Sequence, residues 1–311
     1  MPHPFDPVVD GTRMTGRGAC DMLGGVAAIV VAAQRAAAAG APVVLALVAD
    51  EEDRSLGCEA VLDALERPAA GGDAAGMGAG GTDEGGLGIR PQLCLVAEPT
   101  WLRRCTSLRG YAVADVAFTG RASHTSLPHE GVNAVTHLAR FVMAVEERAH
   151  AVRAGGGDLL VSVAAGGRAP FSIPDAATAT VERRMVPGER EDVLGAELTE
   201  ILAAMTAADA TVSARHTLRM TRPSWQLDPG GPAAAFAARL EAALSSRGCP
   251  VEAPFDAPYW MEAALWEARG IPTLVCGPAG GGLHSVDEWV DLEQVTAFTD
   301  ALAETIVRWG E

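Results

Sequence analysis

Five residues of the 311-residue chain have side chains able to do chemistry in segments that suggest a site. Asp21 lies in "RGACDMLGG", Glu51 and Glu52 in "ADEEDRSLG", Glu98 in "LVAEPT" and His284 in "GGGLHSVDEWV". Carboxylates and imidazoles exchange protons or bind divalent cations. Each has an ordinary explanation when taken alone. Asp is a good helix N-cap, and "VAAIVVAAQRAAAAG" after Asp21 reads as a helix. Adjacent glutamates usually form a solvated face, and a single histidine is seldom a ligand. The elements around these residues decide between the two kinds of reading.

The pattern predicts a helix over residues 24–39, a buried strand in "APVVLALVADEED", a helix in "SLGCEAVLDALE" and a second buried strand in "PQLCLVAEPT". Between the last two lies a Gly-rich, low-complexity stretch, residues 68–88, expected to be a mobile surface loop. Alternating strands and helices imply an α/β fold, a parallel-type sheet with helices on both faces. Ligands of such sheets bind beyond the carboxyl ends of the strands. Glu51 and Glu52 end one expected strand, Glu98 ends another, and His284 follows a third in "IPTLVCGP". Asp21 precedes a helix expected on the same edge. That much negative charge on one edge exceeds what a structural site tolerates, and a divalent metal is its natural neutraliser.

The texture changes near Ser107. "GYAVADVAFTG" alternates apolar and polar residues, as a half-solvated antiparallel strand does. A helix is expected over 133–154, strands in "DLLVSVAAGG" and "ATATVERRMV", a helix over 190–207 and a strand in "TVSARHTLRM". After residue 221 the chain returns to helix, strand and a closing helix from about Leu292. The expectation is a discontinuous metal-binding catalytic domain, residues 1–106 and 222–311, with a smaller α+β domain, 107–221, inserted into it.

Composition bounds the partners. The chain is 49% apolar, enough for a sizeable core, and carries a net charge of −16 from 40 acids against 24 Lys plus Arg. This argues against a nucleic-acid or anionic-membrane partner. No apolar run is read as long enough to span a membrane, and the N-terminus lacks the features of a signal peptide. The six cysteines are scattered, mostly in apolar runs, and are expected to be reduced in a cytoplasmic protein. The Ala, Gly and Arg bias suggests a GC-rich bacterial genome.

"GRGACDMLGG", "ADEEDRSLG", "LVAEPT", "GRASHTSLPHEGVNAV" and "GPAGGGLHSVDEWV" occur in the order of a metallohydrolase family which the chain resembles over nearly its whole length. The family includes acetylornithine deacetylase, succinyl-diaminopimelate desuccinylase, carboxypeptidase G and aminoacylase-1. The resemblance implies two zinc ions, with cobalt able to substitute, and cleavage of amide bonds in N-acyl amino acids or short peptides. It implies that Asp21 bridges the metals and that Glu51 is the general base. Glu52 and His284 would complete one ligand set with Asp21, and Glu98 would bind the second metal. His124 would polarise the scissile carbonyl from the partner subunit of a homodimer formed through the inserted domain. Arg184 would hold the substrate carboxylate, although Arg183 or Arg184 alone also reads as a residue solvating a strand.

The chain departs from the family pattern. A further His ligand, in a Gly-His-x-Asp segment upstream of the bridging Asp, has no counterpart here, and His3 does not replace it. The expectation is an N-terminally shortened chain. Leu23 stands where Lys is common, Phe171 where Asn is common, and Glu262 near where related deacetylases have Asp. "PYWMEAAL" and the His284 segment most resemble acetylornithine deacetylases. A dipeptidase or carboxypeptidase is the alternative enzyme, and an inactive binding relative is the alternative from another class.

Overall fold

The computed structural model describes residues 1, 3–67, 86–249 and 252–310. Most of the segment expected to be a mobile loop, residues 68–85 of 68–88, lies outside them. The chain forms two compact units, one of Met1–Ser107, Gln226–Ala257 and Met261–Glu311, the other of Leu108–Trp225 with Pro258–Trp260.

In the first unit the long N-terminal helix runs Gly24–Ala38. Its alanines at 28, 32 and 36 recur every fourth residue, so they share one face, and all are buried. Their small side chains let this helix pack against the closing helix Leu292–Val307, which Asp291 caps by accepting from the backbone N–H of Glu293 and Gln294. The stretch Ala19–Ala38 has a mean hydropathy of 1.3 over 20 residues. By length and composition it can cross a membrane, which corrects the expectation that no run is long enough. Arg35 and Gln34 sit near one end of an alanine-rich run and do not offset it. One face of it packs against the closing helix.

The parallel pairing is confirmed between Cys94–Val96 and Thr273–Val275, in the register Thr273 with Cys94, Leu274 with Leu95 and Val275 with Val96. Helices Leu56–Glu66 and Ala263–Ala268 bury Cys58, Leu62, Trp266 and Ile271 beside this pair. A second sheet was not foreseen. Val8–Asp10 and Arg13–Thr15 form a hairpin that continues antiparallel through Trp289–Asp291 to Gly280–Gly281. It lays the segment that leads to Asp21 beside the one that follows His284.

One expected strand is absent. Residues 41–50 have no strand partner among the described residues. Ala46 and Val48 pack inward, whereas Val44 and Leu47 are 54% and 61% exposed. The alternation of a strand is present, but β structure also needs neighbours for its N–H and C=O groups, and only the two short strands above form that sheet.

The second unit is a four-stranded antiparallel sheet in the order Asp158–Gly166, Ala176–Met185, Gly110–Thr119, Ser213–Arg222. Alternate residues of Gly110–Thr119 are buried. They meet helices Ala134–Ala154 and Val193–Ala208 in one core, and Asn133 caps the first helix through the N–H groups of Val135 and Thr136. Phe118 and Phe141, both buried, meet with ring centroids 5.4 Å apart. Phe141→Ala is expected to cost about 3–5 kcal/mol of stability through the cavity it leaves. Urea unfolding followed by circular dichroism measures it.

Candidate metal centre

Asp21 is not a helix cap. Leu23 holds the N-cap position of Gly24–Ala38 and makes no side-chain cap bond. Asp21 and Met22 have non-helical backbone angles within the turn Ala19–Leu23, and the Asp21 carboxylate meets His284. Gly18, at φ 75°, supplies the left-handed residue that starts the turn. Gly25 brings the helix against the end of a strand: a Cβ there would lie 2.1 Å from the Ala97 carbonyl oxygen. Ala97 precedes Glu98, so this close approach carries Asp21 towards the buried Glu98.

Glu51 and Glu52 follow the unpaired run 41–50 on a turn between two left-handed residues, Asp50 at φ 72° and Ser55 at φ 54°. His284 is left-handed too, at φ 60°. Such backbone costs roughly 1–3 kcal/mol per residue and collects at functional sites. The three turns bring together Asp21, Glu52 and His284. His284 Nε2 lies 3.2 Å from Asp21 Oδ2 and 3.1 Å from Glu52 Oε1, and one ligand atom from each residue falls within 4.8 Å of the others. Tetrahedral zinc, at about 2.0–2.2 Å from N and O ligands, separates its ligand atoms by about 3.3 Å. The donor set and its spacing fit a divalent cation.

Glu98 is outside that group of three but close enough to act on it. It is buried, and burial raises its pKa well above the ordinary range, with Asp21, Glu51, Glu262 and Glu52 adding to the rise. Burial also raises Glu51, to about 7, and Glu262, Glu52 and Asp21 push in the same direction. Asp21 is raised by burial first and then by Glu52, while His284 opposes the shift. The three shifts share one sign and two causes, burial and neighbouring carboxylates, and a divalent cation bound there would oppose both.

Two residues that the sequence reading did not use complete the surroundings. Glu262, noted only as a departure, is buried and acts on both Glu51 and Glu98. Glu288, within the quoted "HSVDEWV", is buried and accepts from the backbone N–H of Gly18, Cys20 and Asp21. Its position four residues after His284 was the available signal. Leu23 is exposed and touches Gly18's surroundings.

His124 and Arg184 belong to the second unit. The Ser126 N–H donates to His124 Nδ1 at 3.2 Å. A neutral ring accepting there carries its proton on Nε2, leaving that edge a donor. An isolated bridge pairs His124 with Ser172, beside the exposed Phe171. Arg183 and Arg184 separate clearly. Arg183 is buried and held by Glu197 at 3.1 Å and by Glu189. Arg184 is partly exposed, paired with Glu182 at 2.6 Å and placed over the Tyr111 ring.

The sequence profile of peptidase family M20/M25/M40 matches residues 1–308. The chain belongs to that family. Among curated relatives of this M20 chain, acetylornithine deacetylase of Myxococcus xanthus is 26% identical over 307 residues, 96% of this chain and 73% of the relative. Succinyl-diaminopimelate desuccinylase of Cereibacter sphaeroides is 30% identical over 310 residues, 94% of this chain and 74% of the relative. Aminopeptidase PepT of Bacillus cereus superposes with a TM-score of 0.75 at 15% identity, covering 98% of this chain and 76% of its own. The dipeptidase Dug1p of Saccharomyces cerevisiae gives 0.64 at 15% identity, covering 98% and 75%. These two show the shared fold. The M20 chain is therefore a member of a hydrolase family with an α/β fold.

The raised carboxylates set the sign of a pH dependence. Glu51 titrates near 7 in the folded chain against an ordinary value of 4.5. Between those values the folded form binds the proton that the unfolded form has lost. Stability of the metal-free protein is therefore expected to fall as pH rises through that window. A saturating divalent cation should flatten the fall and raise the midpoint. Thermal melts with EDTA or with zinc, across pH 4.5–8, check both.

Proposed function

We propose that this chain is a zinc-dependent amidohydrolase that cleaves the amide bond of N-acyl amino acids, with deacetylation of an acetylornithine-like substrate as the leading activity. The observation that carries this reading is the cluster Asp21, Glu52 and His284, with Glu51 beside it raised to about 7. A binding module has no need of a buried, proton-accepting carboxylate next to a cation cluster. A catalyst working near neutral pH does. The curated relatives named above support deacylation, and a dipeptidase is the alternative supported by the peptidase superpositions.

Asp21, Glu52 and His284 would hold one cation, and Glu98 with Asp21 would hold the second that the family resemblance implies. When bound, zinc supplies a positive charge that lowers the pKa of water to near neutrality and polarises a carbonyl. Cobalt is expected to substitute. Glu51 accepts the proton from the attacking water on a carboxylate oxygen and returns it to the nitrogen of the departing amine, so it ends the cycle as it began. His124 donates from Nε2 to the carbonyl oxygen as negative charge builds there. Arg184 clamps the substrate's free carboxylate with two parallel N–H donors, exchanging Glu182 for the ligand. A homodimer through residues 107–221 would let His124 serve the neighbouring protomer. The six free thiols support a reducing, cytoplasmic setting.

The variants separate ligand from base. Asp21→Asn keeps the shape of the side chain and removes its charge, so bound zinc and turnover are both expected to fall to near zero. Glu51→Gln is expected to keep the metal and lose about 10²–10⁴-fold in kcat. Elemental analysis beside initial rates on N-acetylornithine, N-succinyl-diaminopimelate and dipeptides measures both effects. Cleavage of peptides alone would replace the deacetylase reading. Bound metal without turnover on any of them would favour the inactive binding relative.

Sedimentation velocity tests the assembly. A homodimer is expected at micromolar concentration, and a fully active monomer would exclude the shared-site role of His124.

A further inference from the structure

Asp21 and His284 reach the cation cluster from opposite ends of the sequence, and one half-buried ion pair, Arg17 with the buried Glu288, joins the segments that carry them. Glu288 is 1% exposed. Its Oε2 accepts from the Gly18 N–H at 2.9 Å and from Arg17 Nη1 at 3.0 Å. Its Oε1 accepts from the N–H groups of Cys20 at 3.1 Å and Asp21 at 3.0 Å. Arg17 continues across the gap, donating from Nη2 to the Ser285 carbonyl at 2.9 Å. The Gly16 N–H donates to the Glu288 carbonyl at 3.1 Å. The turn before Asp21 is thus held by one carboxylate, and the residue after His284 by the guanidinium that pairs with it.

Joining two strands does not require this arrangement. The antiparallel pairing of Trp289 with Thr15 and Val290 with Met14 already does so. A carboxylate buried next to an acidic cluster is electrostatically adverse unless its bonds accomplish something an apolar residue would not. The four donors converging on Glu288 fix the path of the backbone at the residue whose side chain is a cation ligand. We propose that Arg17 and Glu288 form a clamp that sets the separation of Asp21 from His284 and so tunes the affinity of the centre for its cation. They are positioning residues, and the proposal rests on the metal-centre reading above.

Glu288→Gln tests it directly. Both carboxylate oxygens carry two donors, so the amide nitrogen of Gln must face N–H groups wherever it is placed. Zinc affinity is read on the purified, metal-stripped protein by competition with a chromophoric chelator, and site geometry by the visible absorption of the cobalt form. Circular dichroism verifies the fold. Glu288→Gln is expected to bind zinc about 10–100-fold more weakly, the range typical of groups that orient metal ligands, with an altered cobalt spectrum. Arg17→Met should weaken binding less, since the three backbone donors remain. Arg17→Lys should recover part of that loss. A folded Glu288→Gln protein with wild-type affinity and spectrum would overturn the clamp while leaving the metal centre standing. If Glu288→Gln does not fold, Arg17→Met decides: weakened binding in a folded protein supports the clamp, and unchanged binding overturns it. A wild-type chain that takes up neither zinc nor cobalt would overturn the metal-centre reading, and the clamp with it.

Discussion

Burial of acids beside one another governs the centre of this molecule: loss of water raises Asp21, Glu51 and Glu98 first, and repulsion among the carboxylates adds to it. Asp21, Glu51, Glu52, Glu98 and Glu262 act on one another through short, partly dry paths, with His284 the group that opposes the rise of Asp21. Two charges a few ångströms apart interact far more strongly in such surroundings than in water. For Asp21, Glu51 and Glu98 these surroundings favour the protonated form. A nearby positive charge acts in the opposite direction, as His284 does on Asp21. The same crowding that raises these carboxylates is what a divalent cation at Asp21, Glu52 and His284 would relieve.

The surrounding fold can be understood as a means of enforcing that crowding. Glycine at position 25 admits the helix to within contact of the Ala97 carbonyl. Left-handed residues at 50, 55 and 284 turn the chain so that its acids and imidazole converge. Each device is local and mildly unfavourable, and each is tolerated because the helix pair Gly24–Ala38 and Leu292–Val307 supplies apolar burial at a distance from the charges. In the second unit an all-antiparallel sheet and two helices form a separate core. Arg183, buried with Glu189 and Glu197, is part of that unit's structure.

Much of this was legible in the sequence because the signals were periodic or compositional. The alternation in "GYAVADVAFTG" marked the central strand Gly110–Thr119, and the alanine-rich run marked Gly24–Ala38. Asp21, Glu52 and His284 were expected on one edge and do meet, although the strand expected to carry Glu52 there does not form. What failed was whatever depends on a partner distant in the chain. Residues 41–50 have the composition of a strand, yet hydrogen bonding is decided by neighbours. The sheet formed by Val8–Asp10, Arg13–Thr15 and Trp289–Asp291 joins opposite ends of the sequence through three-residue strands, too short to leave a pattern. Glu288 escaped notice for a related reason: its role is to accept from backbone N–H groups, which carry no residue type.

The unpaired run 41–50 has a colloidal meaning as well as a structural one. Its peptide groups lack strand partners among the described residues, and Val44, Leu45 and Leu47 project from it into solvent. Exposed aliphatic side chains beside backbone without strand partners attract other apolar surface. The net charge of −16 opposes such encounters at long range. Added salt shortens that range, to about 8 Å at physiological ionic strength. Ionic strength thus acts on the repulsion between surfaces of like charge and leaves the attraction of the exposed aliphatic run in place.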